Sequence, residues 1–225
     1  MTGTASTRGP ARQRLPKPDP DLNYETELLC GGVPLVIGCD EVGRGAIAGP
    51  VAVGVAAYRP ECGAFPEGLR DSKLLTSRKR DELYPLAAGW AAYWAVGYAS
   101  ADEIDRCGIT VGLGLAGRRA LVSLHDQGAP VASSVILLDG SSDWLSPALV
   151  SPLRIVTRVK ADQDCASVAA ASVLAKVHRD RHMIVLDAEL PGYGWGSNKG
   201  YGAASHYVAI RARGVSVQHR QTWLK

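Results

Sequence analysis

The chain has 225 residues, 46% hydrophobic and 21% charged, a composition that fits a globular domain and excludes a disordered or fibrous chain. No apolar run approaches the roughly 20 residues that a membrane helix requires, and the N-terminus lacks the apolar segment of a secretory signal, so a soluble cytoplasmic protein is expected. The net charge of +3 is uneven: residues 151 to 225 carry 11 Lys and Arg against 5 Asp and Glu, residues 1 to 150 carry 14 against 17, and a basic last third beside an acid-bearing front suits a protein that grips a polyanion.

Beyond Met1, residues 1 to 22 offer only Leu15 and Leu22 as large apolar groups, too few to offset the entropy of ordering, so a disordered basic tail is expected there. A folded domain is expected over 33 to 225. Leu35 to Asp40 and Val51 to Tyr58 read as strands joined by a glycine-rich segment. Thr76 or Ser77 caps a helix reaching about Leu86. Ala91 to Ala99 is a third strand, and Ser100 caps a helix over Ala101 to Arg106 with Asp102 and Glu103 in its first turn. A further helix covers Val111 to His125. Val135 to Leu138 is a short apolar run ending at Asp139-Gly140, the pattern of a buried strand with an acid at its tip. Leu153 to Val159 is another strand and delivers Lys160-Ala161-Asp162. The alanine-rich segment Ala166 to Leu186 reads as a long helix packed closely on the sheet, and a short helix follows around Ala203 to Arg213. The expected class is α/β, a mixed sheet flanked by helices, with a small helical C-terminal portion. Five scattered cysteines without a C-x-x-C pair argue for reduced thiols over a disulfide framework or a zinc site.

The acids carry the chemical argument. Asp40 and Glu41 end the first apolar strand and are followed by Val42-Gly43-Arg44-Gly45. Alone, such a pair is an ordinary solvated strand end. Asp139 and Asp162, however, also fall at or just beyond strand ends, and four carboxylates meeting at one sheet edge repel unless cations sit among them. Mg²⁺ takes oxygen ligands and keeps several waters, so a few carboxylates plus phosphate oxygens complete its shell. Adjacent strand residues point to opposite faces, so Asp40 and Glu41 are expected to serve one site through a bend that Gly43 and Gly45 permit. Arg44 offers a planar fork suited to phosphate, and Lys73 a flexible point charge. His178, His182, His206 and His219 have no regular ligand spacing and read as structural or solvated rather than catalytic, with the substrate edge as the alternative for His206 and His219; Trp195 and Trp223 read as anchors over stacking platforms.

Several motifs together resemble the type 2 ribonucleases H, and among them the bacterial ribonuclease HII family: Gly38 to Gly45, Gly49-Pro50, Asp71-Ser72-Lys73, Leu138-Asp139-Gly140, Ala169 to Lys176, Arg179-Asp180 and Lys199-Gly200-Tyr201. The resemblance covers about residues 34 to 222. It implies an RNase H-like fold and an endonuclease that hydrolyses the RNA strand of RNA/DNA hybrids. It also implies nicking 5′ of single ribonucleotides embedded in duplex DNA, with two divalent ions, Mg²⁺ or Mn²⁺, and 5′-phosphate and 3′-hydroxyl products. By motif matching, Asp40, Glu41, Asp139 and Asp162 take the metal-binding catalytic positions, while Gly43, Arg44, Gly45, Lys73 and Tyr201 take substrate contacts. Only the 2′-hydroxyl separates an RNA sugar from a DNA sugar, so the Gly-Arg-Gly segment and Tyr201 are the expected readers of it. Two departures stand out: Ala161 where the family usually has glycine, and Trp223 where it commonly has phenylalanine. The substrate is the expected partner, with no membrane and a monomeric chain.

A ribonuclease HIII-like enzyme is the nearest alternative, but that family typically lacks the arginine between the two glycines and carries an extra N-terminal domain. A nuclease acting on DNA junctions is more distant. A non-catalytic nucleic-acid-binding subunit is disfavoured by the four acids, since clustered negative charge gains nothing beside a phosphate backbone.

Overall fold

Five strands form one sheet: β1 (Val36–Val42), β2 (Val51–Tyr58), β3 (Tyr93–Ala99), β4 (Val135–Asp139) and β5 (Arg154–Arg158), ordered β3-β2-β1-β4-β5. The computed structural model describes residues 19–224. β1 to β3 are an antiparallel meander, whereas β4 and β5 run parallel to β1. The helices that precede the parallel strands are α1 (Asn23–Leu29), α2 (Ser77–Trp90), α3 (Ala101–Cys107) and α4 (Ile109–Asp126). Those that follow are α5 (Ala161–Asp164), α6 (Ala166–Glu189), α7 (Trp195–Asn198) and α8 (Ala204–Arg213). The whole is the expected α/β class, with α7 and α8 as the helical C-terminal portion.

Strand alternation divides the core into two layers. Ile37 and Cys39 face α4, packing with Leu113, Ala116 and Leu124, while Val36 faces α6 and packs with Val168. Full burial of such aliphatic side chains stabilises the fold by about 1.5–3 kcal/mol each. The small residues of α6 have a clear cause: a Cβ on Gly38 would stand 2.3 Å from the Ser167 carbonyl carbon, and one on Gly54 2.4 Å from the Ala171 oxygen. Helix and sheet backbones therefore meet at a distance that only small residues allow. Local signals fix the other helix starts. The Thr76 hydroxyl accepts the Lys79 N–H at 3.2 Å, and Ser100 and Glu103 form a reciprocal capping box at α3.

Three features depart from the sequence reading. α1 was unexpected, because its helical stretch is short and its anchor is tertiary: buried Glu25 accepts both the Ser167 N–H and its hydroxyl at 2.8 Å. Asp21 also pairs with the start of α6, donating to Asp164 and accepting from Ala166, so the packed chain begins ahead of residue 33. Of the expected tail, residues 1 to 18 lie outside the described residues. α2 continues past Pro85 to Trp90, whose ring stacks on Tyr58 at 5.6 Å and whose N–H reaches the Gly63 carbonyl. All five cysteines are free. Among the described residues no helix is long and apolar enough to cross a membrane.

Candidate active site

Register brings the first two acids together. In the parallel β1–β4 pair Cys39 stands opposite Leu138, so Asp40 and Asp139 follow at the same strand ends, both on the α6 side. Asp40 is 2% exposed; its carboxylate accepts the Glu41 N–H at 2.8 Å and bonds Ser172 on α6. Asp162 arrives in the first turn of α5, where its N–H donates to Asp139 at 3.3 Å. Lys160, in the left-handed conformation (φ 62°), turns the chain so that this happens. With Lys160 in that role, Ala161 sits buried in ordinary helical backbone, and the missing glycine needs no further accommodation.

The expected bend lies later than the Asp40-Glu41 pair. β1 stays regular through Val42, with Glu41 opposite Val53, so the two acids do point to opposite faces. The turn comes at Gly43 (φ 82°), where the chain leaves the sheet. Glu41 nonetheless sits half-buried at the strand end, close enough to raise both Asp40 and Asp139, and pairs with Arg44 at 3.6 Å.

Electrostatics ties the group together. Burial, reinforced by Glu41, pushes Asp40 well above the usual carboxylate range. Asp139 is raised by burial and by Glu41. Asp162 is raised to about 6 by burial, Asp139 and Asp71. Burial alone would lower Lys73, yet Asp40, Asp71 and Asp162 raise it above its ordinary value. Its ammonium stands 3.2 Å from Asp162 and 3.9 Å from Asp71. A 3₁₀ turn holds it there: Asp71 accepts the Lys73 N–H, and Ser72 and Ser172 share a 2.8 Å hydrogen bond. Asp71 and Ser172 were legible only as members of motifs, because an aspartate in a turn and a serine inside an alanine-rich helix carry no local sign of a role.

Surplus negative charge around one lysine fits a divalent cation. Among the described residues no three His, Cys, Asp or Glu side chains are arranged to hold a metal ion by themselves. An open arrangement suits Mg²⁺ or Mn²⁺, which leave coordination positions for water and phosphate oxygens.

A second group of contacts builds the loop beside the acids. A Cβ on Gly43 would come 2.1 Å from the Arg179 Nε, and the Arg179 guanidinium donates to the carbonyls of Pro50 and Lys199. The Gly200 carbonyl accepts the N–H groups of Ile47 and Ala48, so the Gly-Arg-Gly and Lys-Gly-Tyr segments form one unit. Tyr201 is 37% exposed on it, its ring 5.7 Å from the Arg179 guanidinium carbon. Arg179 was legible only as part of a motif; nothing local marks its burial.

His206 and His219 do not line the substrate edge: they are 0% and 1% exposed. Their rings meet at 3.2 Å, Trp195 donates to His206, His206 bonds the Tyr201 carbonyl, and His219 accepts the Ser216 N–H. Trp195 is the buried anchor expected, and Trp223 lies against Arg220. Burial first, then His206, pushes His219 from 6.5 down to about 4. An unfolded histidine therefore binds its proton before the folded one, so this residue's contribution to stability is complete above pH 6.5 and lost as pH falls toward 4. His219→Gln is expected to show a shallower decline in melting temperature across that window than the parent. Parallel pH melting profiles would expose the idea as wrong.

A strand end that gathers buried acids around a single lysine is suited to divalent cations and phosphate. The mixed five-strand sheet flanked by helices is the fold of solved type 2 ribonucleases H, and a phosphodiester-cleaving enzyme is the class this site fits. The family model for Ribonuclease HII matches residues 37–225. Ribonuclease HII of Streptomyces griseus subsp. griseus is 46% identical over 198 residues, covering 85% of this chain and 78% of that protein. Ribonuclease HII of Paracoccus denitrificans is 42% identical over 204 residues, covering 91% of both. The crystal structure of Bst-RNase HIII in complex with Mn²⁺ aligns with a TM-score of 0.67 at 26% identity, covering 84% of this chain and 67% of that one. The chain belongs to the ribonuclease HII family and is an endoribonuclease acting on RNA/DNA hybrids.

Proposed function

We propose that the enzyme nicks duplex DNA 5′ of a single embedded ribonucleotide, as well as cutting longer hybrids, with Asp40, Glu41, Asp139 and Asp162 holding two Mg²⁺ or Mn²⁺ ions. The observation that carries this is the convergence of Asp40, Asp139 and Asp162 around Lys73, with their proton affinities raised together. Bound divalent ions supply Lewis acidity, activating water and stabilising the departing 3′ oxygen. The chain's own part is position and charge. Buried Asp40, fixed by Ser172 and the Glu41 N–H, would be one of the carboxylates that hold the ions. Asp139 and Asp162 are linked through the Asp162 N–H, so they move as one unit. Lys73 neutralises acids while metal is absent and is placed to turn to the substrate phosphate. Arg44, paired among the described residues with Glu41 and exposed, offers its guanidinium to the backbone of the nucleic acid. Tyr201 and the Gly43–Gly45 segment read the ribose. The enzyme acts as a monomer.

The test is to incubate the purified protein with a duplex carrying one ribonucleotide, beside a uniform RNA/DNA hybrid and an all-DNA duplex, in Mg²⁺ or Mn²⁺. Nicking 5′ of the ribonucleotide with 5′-phosphate and 3′-hydroxyl ends is expected. Cleavage of the uniform hybrid alone would leave a hybrid nuclease and remove the single-ribonucleotide activity. Cutting of the all-DNA duplex would move the reading to a DNA nuclease.

A further inference from the structure

Arg220 comes from the last described segment, far from the acids in sequence, yet its side chain is fully buried beneath the Gly43–Gly49 loop. Its Nη2 donates to the Gly43 carbonyl at 2.7 Å and its Nη1 to the Arg44 carbonyl at 2.8 Å. Nε and Nη2 both reach the Gly49 carbonyl at 3.2 Å. Among the described residues no carboxylate lies within ion-pair distance of it, so its donors are given to the loop backbone. A buried guanidinium costs desolvation energy and is retained only where its hydrogen bonds compensate.

The consequence follows from peptide planarity. In a trans peptide the carbonyl and the following N–H point in opposite directions. Drawing the Gly43 and Arg44 carbonyls inward therefore turns the N–H groups of Arg44 and Gly45 outward. Neither N–H makes a hydrogen bond among the described residues, and both residues are exposed. A Cβ on Gly45 would meet nothing within 4 Å, so the space in front of that residue is open. Among the described residues these two donors are thus unused, in a segment whose Arg44 side chain pairs with Glu41.

We infer that Arg220 is a positioning residue for sugar discrimination, holding the Arg44 and Gly45 N–H groups aimed at the 2′-hydroxyl of the bound ribonucleotide. Arg220 does not touch substrate; it acts by fixing the orientation of two peptide planes. This rests on the reading that the Gly43–Gly45 segment contacts the ribose. Lysine at the same position keeps the charge but cannot fork to three carbonyls in one plane.

The test measures binding, with Ca²⁺ in place of the catalytic ions, of a duplex with one ribonucleotide and of the all-DNA duplex of the same sequence. Arg220→Lys and Arg220→Ala are compared with the parent protein, the alanine variant with and without millimolar guanidinium. The parent is expected to prefer the ribonucleotide duplex; if it does not, the ribose-reading assignment itself fails. With that preference in place, both variants should lose it by roughly tenfold, the value of one to two hydrogen bonds. Affinity for the all-DNA duplex should be unchanged, and guanidinium should restore the alanine variant. If the alanine variant does not fold, the lysine variant decides. An undiminished preference in Arg220→Lys, or an equal loss on both duplexes, overturns the inference.

Discussion

Replacing Asp40 with asparagine is expected to lower divalent-ion-dependent cleavage by about a thousandfold or more, the scale of losing a ligand worth several kcal/mol to the transition state. The fold should survive unharmed. Asparagine has the same shape, and its oxygen can still accept the Glu41 N–H now bonded at 2.8 Å. Asp40 is buried beside Glu41 and Asp139, which raises its pKa, so its ionised form is held against desolvation and repulsion. Neutralising it should leave the melting temperature equal to the parent's or slightly higher, measured without divalent ions. Under the proposed metal-binding role of these acids, adding Mn²⁺ should then stabilise the parent more than the variant. A variant with full activity would remove Asp40 from the metal site. A variant that melts far below the parent would show that the carboxylate is there for the fold.

Tyr201→Ala is expected to reduce cleavage at a single embedded ribonucleotide by about ten- to a hundredfold, corresponding to the roughly 1–3 kcal/mol of an aromatic stacking contact. Its side chain is 37% exposed, so little burial is lost. The backbone of the residue stays tied by the His206 ring and by the Ala203 N–H, both of which bond the Tyr201 carbonyl. The loss should thus be chemical, with the melting temperature nearly unchanged. Tyr201→Phe separates the two uses of the ring. It retains stacking and removes the hydroxyl, so an intermediate rate is expected if both contribute. An unchanged rate in the alanine variant would exclude Tyr201 from the recognition set.

The strands and long helices were legible because their signals are local. β2 spans Val51–Tyr58 as its apolar run requires, and Ser100 and Thr76 start helices through hydrogen bonds within three residues. α1 was not legible, since Glu25 holds it through Ser167, far along the chain. The reach of α2 beyond Pro85 depends on Trp90 finding Tyr58 and Gly63. His206 and His219 illustrate the same limit: their lack of ligand spacing was visible, but their burial against Trp195 was not.

By itself the sequence determined the α/β class, the placement of acids at strand ends and the family motifs, because side-chain period, capping and turn chemistry act over a few residues. Only the tertiary structure decided which acids meet. The β1–β4 register sets Asp40 beside Asp139, the left-handed turn at Lys160 brings Asp162 to them, and Asp71 and Ser172 complete the surroundings. It also decided that Asp40 and Glu41 occupy opposite faces of a regular strand, with the turn at Gly43. The support of the substrate loop came from Arg179 and Arg220, whose donors cross 129 or more residues to reach it. Long-range register and buried hydrogen bonds are fixed when the whole core closes, and no local pattern records them.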